Sequence, residues 1–137
     1  MRIVLDSSTL VSAFLSPTGS PAGLLARAGE GAFTIYVSTE ILTETARALS
    51  RKRITDRYAH GPKDVEGFVT ALAQTAELVS DLPEVRAVSR DPNDDVIIAT
   101  AVAAKADYLV TGDNDLLVIG EHQGVRIVTP RQFLELL

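Results

Sequence analysis

The sequence predicts an α/β fold of three layers, α/β/α, with a mainly parallel central sheet. Short hydrophobic runs alternate along the chain with longer stretches whose apolar residues recur at helical spacing. The runs are hydrophobic throughout, which is typical of strands buried on both faces of a parallel sheet. The 137 residues, 46% of them hydrophobic, suit a single domain over residues 1–137 with an ordinary packed core.

The first half of the chain alternates strands with helices. Aliphatic runs predict strands at residues 2–5 and 33–37, and the first ends at Asp6. Helical spacing predicts one helix that includes residues 10–15, a second to about residue 28, and a third after Ser38 or Thr39. Ser20 is the expected N-cap of the second helix, because Pro21 suits a first turn.

The second half continues the alternation. We expect a helix from Gly61-Pro62 and a loop or short turn over residues 81–90. Asp91 is the expected N-cap of a nearly buried helix, with Pro92 as its first residue and an apolar run over 96–104. The remaining expected elements are a strand at 77–79, a strand at 108–111, a turn at 112–115, a strand at 125–128 and a helix at 130–137.

Acidic residues lie at the ends of two predicted strands and at the start of a predicted helix, and we expect these ends to lie close together. Asp6 ends the first strand, Asp113 follows the strand at 108–111, and Asp94 and Asp95 lie in the first turn of a helix. In α/β sheets the carboxyl ends of the strands and the amino ends of the helices share one edge, where ligands bind. Glu44 lies further into its helix, but its long side chain leans toward the same edge.

Such a cluster of carboxylates requires a cation or protons. Two carboxylates about 4 Å apart repel by roughly 4 kcal/mol at an effective dielectric near 20. Oxygen ligands select a hard ion such as Mg²⁺ or Mn²⁺, whose usual chemistry here is phosphodiester hydrolysis. The chain has no cysteine and two distant histidines, which excludes a thiolate or His/Cys zinc site.

The chain resembles the PIN-domain ribonucleases found as toxins in toxin–antitoxin pairs (VapC-like). Each motif is weakly specific, but four in this order are specific. The matching segments are Ile3-Val-Leu-Asp-Ser-Ser-Thr-Leu-Val-Ser-Ala, Ser38-Thr-Glu-Ile-Leu-Thr-Glu, Asp91-Pro-Asn-Asp-Asp-Val-Ile-Ile-Ala-Thr-Ala and Tyr108-Leu-Val-Thr-Gly-Asp-Asn-Asp-Leu.

The resemblance implies a catalytic site and partners. It implies a metal-dependent endoribonuclease that uses Mg²⁺ or Mn²⁺ to cut single-stranded RNA, commonly as a homodimer inhibited by a small antitoxin. The ligands that it implies are Asp6, Glu44, Asp95 and Asp113, supported by Ser8 or Thr111 and with Asp115 as an additional ligand.

The sequence also departs from the family pattern. Ser8 stands where many relatives carry Asn, so the hydrogen bonds around Asp6 are expected to differ. Asp94 beside Asp95, and Asp115 beside Asp113, leave each assignment ambiguous by one residue. Asp95 is preferred because it immediately precedes the apolar run, and Asp113 because it comes first after the strand.

Each acid also has an ordinary structural interpretation. Asp6 could cap a helix, Glu44 could be solvated, Asp94 and Asp95 could be first-turn acids, and the segment at 113–115 could be a turn. A metal site explains all of them together. Another alternative is a non-catalytic Mg²⁺-binding module, such as a receiver-like signalling domain or a catalytically silent assembly domain; for a receiver-like domain, the Ser-Ser-Thr after Asp6 fits poorly.

Charge and hydropathy limit the partners and the location. The net charge of −5 argues against broad charge-driven binding of nucleic acid, yet one basic segment stands out: Arg47, Arg51, Lys52, Arg53 and Arg57. Those residues could contact RNA phosphates, or they could interact with a helix carboxyl end and water. No apolar run reaches the length of a membrane span, and the first residues do not resemble a signal peptide, so we expect a soluble cytoplasmic protein.

Overall fold

A computed structural model describes residues 1–86 and 88–137. Over this part of the chain, six strands form one sheet and eight helices surround it. The strands are β1 (Arg2–Leu5), β2 (Thr34–Ser38), β3 (Glu77–Val79), β4 (Tyr108–Val110), β5 (Glu121–His122) and β6 (Val125–Val128). The helices are α1 (Ser7–Leu15), α2 (Ser20–Gly29), α3 (Thr39–Leu49), α4 (Lys52–Tyr58), α5 (Pro62–Thr75), α6 (Asp94–Ala103), α7 (Asn114–Leu117) and α8 (Pro130–Glu135).

The sheet is parallel except at one edge, which confirms the predicted fold class. Its strand order is β3-β2-β1-β4-β6-β5, and β5 pairs antiparallel to β6. β1 lies in the interior of the sheet, where Ile3 pairs with Ile35 of β2 on one side and Tyr108 of β4 on the other. The chain therefore builds outward from its first strand in both directions.

Both faces of β1 are covered. Ile3, Val4 and Leu5 are each 0% exposed, and successive side chains of a strand point to opposite faces. The connections from β1 to β2 and from β2 to β3 run toward one edge, whereas the connection from β3 to β4 returns past β1. Such crossovers are right-handed, so the helices α1 to α5 cover one face of the sheet and α6 covers the opposite face. This arrangement gives the three layers.

The last helix closes one end of the core. Phe133 of α8 is fully buried and packs edge-on against Phe33 and Tyr108, with ring centroids 5.0 and 5.5 Å apart. Thr129 and Gln132 form a capping box that fixes the start of α8. The helix ends at Glu135, two residues before the predicted end.

Two predicted N-caps are displaced by short turns. Gly19, not Ser20, caps α2, and Ser20 is its first helical residue. Asp91 does not cap α6, which begins at Asp94 after Asn93. Asp91 instead forms an Asx turn, because its Oδ1 accepts a hydrogen bond of 3.0 Å from Asn93 N.

Three short elements were not predicted. The basic segment contains a break at Arg51, which is extended, and the separate helix α4 follows it. The predicted turn over 112–115 leads into α7, and β5 adds an edge strand. The predicted loop over 81–90 includes residue 87, which lies outside the described residues. In the described part of the chain, no helix is long and apolar enough to cross a membrane.

Candidate metal centre

The candidate site lies where the strand order reverses. β1 and β4 are neighbours, but the chain leaves them toward opposite edges of the sheet. Such a switch point opens a crevice beyond the carboxyl ends of the two strands. Asp6 follows β1 directly, whereas Thr111 and Asp113 follow β4.

Asp6 is buried and fully engaged by neighbouring donors. It is 2% exposed, and its Oδ1 accepts a hydrogen bond of 2.9 Å from Thr9 N as the N-cap of α1. Its Oδ2 accepts from Ser8 Oγ at 3.1 Å and from Thr111 Oγ1. The capping interpretation is thus correct, and the same carboxylate also joins β1 to β4. Ser8 and Thr111 both hold Asp6.

A series of hydrogen bonds extends from Asp6 to Asp115. The buried Thr111 Oγ1 accepts a hydrogen bond of 2.9 Å from Asp113 N. Asp113 caps α7, because its Oδ1 accepts a hydrogen bond of 2.9 Å from Asp115 N. Asp115 also lies 4.0 Å from the guanidinium of Arg90. These bonds fix the turn after β4 relative to Asp6.

Asp94 is the second buried acid at this edge. It is 6% exposed, and its Oδ2 accepts a hydrogen bond of 2.9 Å from Ser89 Oγ. Burial raises the pKa of Asp94 to about 6; the Ser89 bond lowers it, whereas the charges of Asp113, Asp91 and Asp6 add to the rise. Asp94 therefore shares one electrostatic environment with Asp113 and Asp6.

Asp95 occupies a different position from its neighbour. Its Oδ1 is buried and has no hydrogen-bond partner in the described part of the chain. Asp95 is also not among the charges that shift Asp94. Asp94 begins a buried stripe with Ile98 and Ala101 at helical spacing, which orients it toward the sheet edge. The geometry thus groups Asp94, rather than the preferred Asp95, with Asp6 and Asp113.

Two features of the sequence favour different members of the pair Asp94 and Asp95. Asp95 was preferred because it adjoins the apolar run, yet the first residue of that run, Val96, is 38% exposed. Extending the stripe of Ile98 and Ala101 backward by one turn would have selected Asp94. No finding tests which of the two binds a metal.

Glu44 borders the site but is held by arginines. It lines a cleft of about 540 Å³ together with Asp91, Asp94 and Ser7. Its Oε2 lies 3.0 Å from Arg47 Nη1, and its Oε1 lies 3.3 Å from Arg51 Nη2. Glu44 therefore reaches the same cleft as Asp94, while its charge is paired.

The basic segment divides between two helix ends. Arg47 lies in the last turn of α3, where a cation interacts favourably with the helix dipole. Lys52 and Arg53 lie in the first turn of α4, where the dipole disfavours cations. The carboxyl-end interpretation is therefore correct for Arg47 and wrong for Lys52 and Arg53. Arg53 and Arg51 line a second pocket beside α1.

The carboxylate oxygens at this site are the type of ligand that a hard divalent ion prefers. Asp6, Asp94 and Asp113 offer oxygen donors from three chain segments, and burial raises the pKa of Asp94, with the charges of Asp113, Asp91 and Asp6 adding to the rise. Within residues 1–86 and 88–137, no three acidic or histidine side chains are close enough together to hold a metal ion as they stand. The residues thus supply the chemistry that Mg²⁺ or Mn²⁺ requires, with side chains spread around the crevice.

Comparisons with known proteins match both the sequence and the fold. A family model described as PIN domain matches residues 2–115. An uncharacterised protein of Methanocaldococcus jannaschii is 26% identical over 144 residues, which cover 98% of this chain and 90% of that protein.

A solved structure has the same fold. A chain in the structure of VapBC2 from Rickettsia felis, bound to a DNA fragment from their promoter, superposes with a TM-score of 0.61 and 18% sequence identity. The match covers 93% of this chain and 97% of that chain. The likeness therefore extends over nearly the whole fold.

Proposed function

This chain belongs to the PIN domain family, and from that premise we propose that it is a divalent-metal-dependent endoribonuclease, the toxin of a toxin–antitoxin pair. The observation that carries the proposal is that Asp6, Asp94 and Asp113 are arranged around the crevice at the switch point of the sheet, where the charges of Asp6 and Asp113 act on Asp94. These acids come from three separate segments, and their mutual repulsion has no structural benefit of its own. Family membership also argues against the receiver-like alternative.

Asp6, Asp94 and Asp113 would hold Mg²⁺ or Mn²⁺, with Glu44 and Asp115 at the border of the site. When bound, such an ion neutralises charge on the phosphodiester and activates water for attack. Asp95, with a buried unbonded oxygen in the described chain, is the alternative ligand from α6. Testing both members of each acidic pair will separate the assignments.

The surrounding residues of the chain orient these acids. Ser8 and Thr111 donate to Asp6, and Ser89 donates to Asp94, so each carboxylate is held before substrate arrives. Preorganised groups of this kind avoid a cost of reorganisation during the reaction. One carboxylate of the group orients the attacking water and receives its proton.

The proposed partners are single-stranded RNA, a small antitoxin and a second copy of the chain. Arg47 lines the acidic cleft, and Arg51 and Arg53 line the pocket beside it. Together with Lys52, which lies between those two arginines in the sequence, they can contact a phosphate backbone. The fold that this chain shares with a VapBC2 structure supports an antitoxin partner. A small protein encoded next to this chain and forming a complex with it would be the expected antitoxin.

The first prediction concerns cleavage. With Mn²⁺ and a labelled single-stranded RNA, we expect the parent protein to cut, while Asp6→Asn, Asp94→Asn and Asp113→Asn each lose at least a hundredfold in rate. The reason is that each substitution removes a charged oxygen donor from the site. Rates of product formation on a denaturing gel provide the measurement.

The control variant is Glu66→Gln, which removes an exposed acid on α5 away from the crevice. It should cut at the parental rate, and EDTA should stop both proteins. Cleavage by Asp6→Asn or Asp94→Asn at the rate of the control would rule out the proposed mechanism.

A further inference from the structure

A second pocket adjoins the carboxylate centre and has the opposite chemical character. It has a volume of about 340 Å³ and lies between α1 and the junction of α3 with α4. Its polar lining consists of three hydroxyl groups, two guanidinium groups and one carboxylate, from Ser7, Ser8, Ser12, Arg51, Arg53 and Glu44. Such a set of hydrogen-bond donors suits an anion.

The donors of this pocket are open to solvent. Ser8, Ser12, Arg51 and Arg53 are all exposed. Arg51 directs one nitrogen, Nη2, to Glu44 at 3.3 Å, whereas a guanidinium carries five N–H donors. The remaining donors can therefore bind a phosphate, for which arginine has matching geometry.

The helix ends argue against a purely structural role for these cations. Arg51 precedes α4 and Arg53 lies in its first turn, so both face the positive end of that helix dipole. Positive charge at this position does not stabilise α4. An anion bound in the pocket would offset the arginine charges.

The pocket and the carboxylate centre share side chains. Ser8 lines the pocket, and its Oγ donates a hydrogen bond of 3.1 Å to Asp6 Oδ2. Glu44 lies in the wall between this pocket and the cleft that contains Asp94. An anion in the pocket would thus lie about one side chain away from the carboxylates.

We propose that this pocket is a phosphate subsite, which binds a neighbouring phosphate of the same single-stranded RNA whose backbone is cut at the carboxylate centre. The inference rests on the proposed function for the identity of the nucleic acid. Arg51 and Arg53 supply the charge, and the hydroxyls of Ser7 and Ser12 supply neutral hydrogen bonds, because Ser8 already donates its one proton to Asp6. The subsite positions the strand and reads no base.

The test measures RNA binding without cleavage. A fluorescein-labelled pool of 12-nucleotide RNA of random sequence is titrated in EDTA at several salt concentrations, and anisotropy gives Kd. We expect the double variant Arg51→Gln, Arg53→Gln to bind at least tenfold more weakly than the parent. The slope of log K against log salt should fall by about 0.7, the value for one lost phosphate contact on a single strand.

The matched control is Arg27→Gln, Arg131→Gln. Both of these arginines are exposed and paired with an acid three or four residues further along the chain, and the change in net charge is the same. This control should bind within twofold of the parent, and Ser12→Ala should weaken binding two- to threefold. Thermal unfolding of every variant checks that the fold is retained.

The outcomes separate the subsite from the nuclease. Equal losses in the two double variants, or a parent that does not bind RNA in EDTA, would overturn the subsite. The Mn²⁺ cleavage assay on the same preparations tests the nuclease separately. A parent that binds RNA through Arg51 and Arg53 but cuts nothing would retain the subsite and remove the proposed activity.

Discussion

At the scale of single residues, Asp94 combines burial with repulsion. Burial raises its pKa to about 6, and three neighbouring acids add to the rise, so ionised Asp94 destabilises the fold near neutral pH. Each pKa unit corresponds to roughly 1.4 kcal/mol. The site therefore reduces stability when no cation is bound.

We accordingly predict that Asp94→Asn is more stable than the parent in EDTA at pH 8. An asparagine oxygen can still accept from Ser89, while the repulsion from the other acids is removed. The expected gain is about 1–3 kcal/mol in the free energy of unfolding, measured by urea denaturation. A clear loss of stability would show that ionised Asp94 is favourable in the fold.

Metal addition should reverse this order of stability. For the parent, Mn²⁺ at a hundred times its Kd is expected to add roughly 2.7 kcal/mol to the free energy of unfolding. Asp94→Asn should gain much less, whereas Asp95→Asn should respond like the parent. If Asp95→Asn lost the Mn²⁺ effect and Asp94→Asn kept it, the ligand from α6 would be Asp95.

The positions of site residues were predictable where the topology of the sheet determines them. Asp6 and Asp113 directly follow strands, so their shared edge could be inferred from the alternation of elements. The choice between Asp94 and Asp95 depends on a rotation of about 100° around α6, which a short apolar run does not determine. The ion pairs of Glu44 with Arg47 and Arg51 could not be predicted, because sequence spacing does not determine the conformations of such long side chains.

At the scale of elements, a pair of hydroxyl groups ties α6 to the start of α3. Thr100 Oγ1 lies 2.9 Å from Ser38 Oγ and 2.8 Å from Val96 O. Ser38 Oγ also accepts a hydrogen bond of 3.3 Å from Ile41 N as the N-cap of α3. Both side chains are fully buried, so this contact fixes the helix of Asp94 relative to the helix of Glu44.

Removing either hydroxyl should destabilise the fold by an amount that depends on the other. We expect Ser38→Ala to cost about 1–3 kcal/mol, since it removes a cap and a buried hydrogen bond. Thr100→Val should cost about 1 kcal/mol, and Thr100→Ser, which keeps the hydroxyl, should cost less than Thr100→Val. A coupling energy near zero in the double-mutant cycle would mean that the two hydroxyls act independently.

Element prediction succeeded for strands marked by aliphatic residues and failed for short elements without that mark. The strands at 2–5, 77–79 and 125–128 match the structure, and each contains at least two aliphatic residues. α4 was missed because its residues are charged and it follows α3 after one extended residue. β5 has two residues, and it depends on pairing with β6 rather than on its own composition.

At the scale of the whole molecule, the core extends past the segment that defines the family. The family match ends at residue 115, whereas β6 and α8 follow it, and Phe133 fills the core beside Phe33. Phe133 lies in the helix that follows β6, so a change there should affect stability more than chemistry.

Phe133→Ala should therefore destabilise the protein by about 3–5 kcal/mol through the cavity that it leaves. Leu136→Ala, at a position 54% exposed, should change stability by less than about 0.5 kcal/mol. Urea denaturation gives both values. At 10 °C, where the variant stays folded, we expect RNA cleavage per folded molecule to match the parent; a hundredfold loss would instead place α8 in the active site.

The placement of β1 inside the sheet also determines how late in synthesis the acidic site can form. Asp6 is made well before Thr111, and the hydrogen bond between them joins positions 105 residues apart. A ribosome-bound chain cannot pair β1 with β4, or bring Asp113 to Asp6, until most of the polypeptide has emerged. The proposed catalytic site would thus assemble only after elongation has passed Asp113, so the interval before the proposed activity would depend on the rate of elongation.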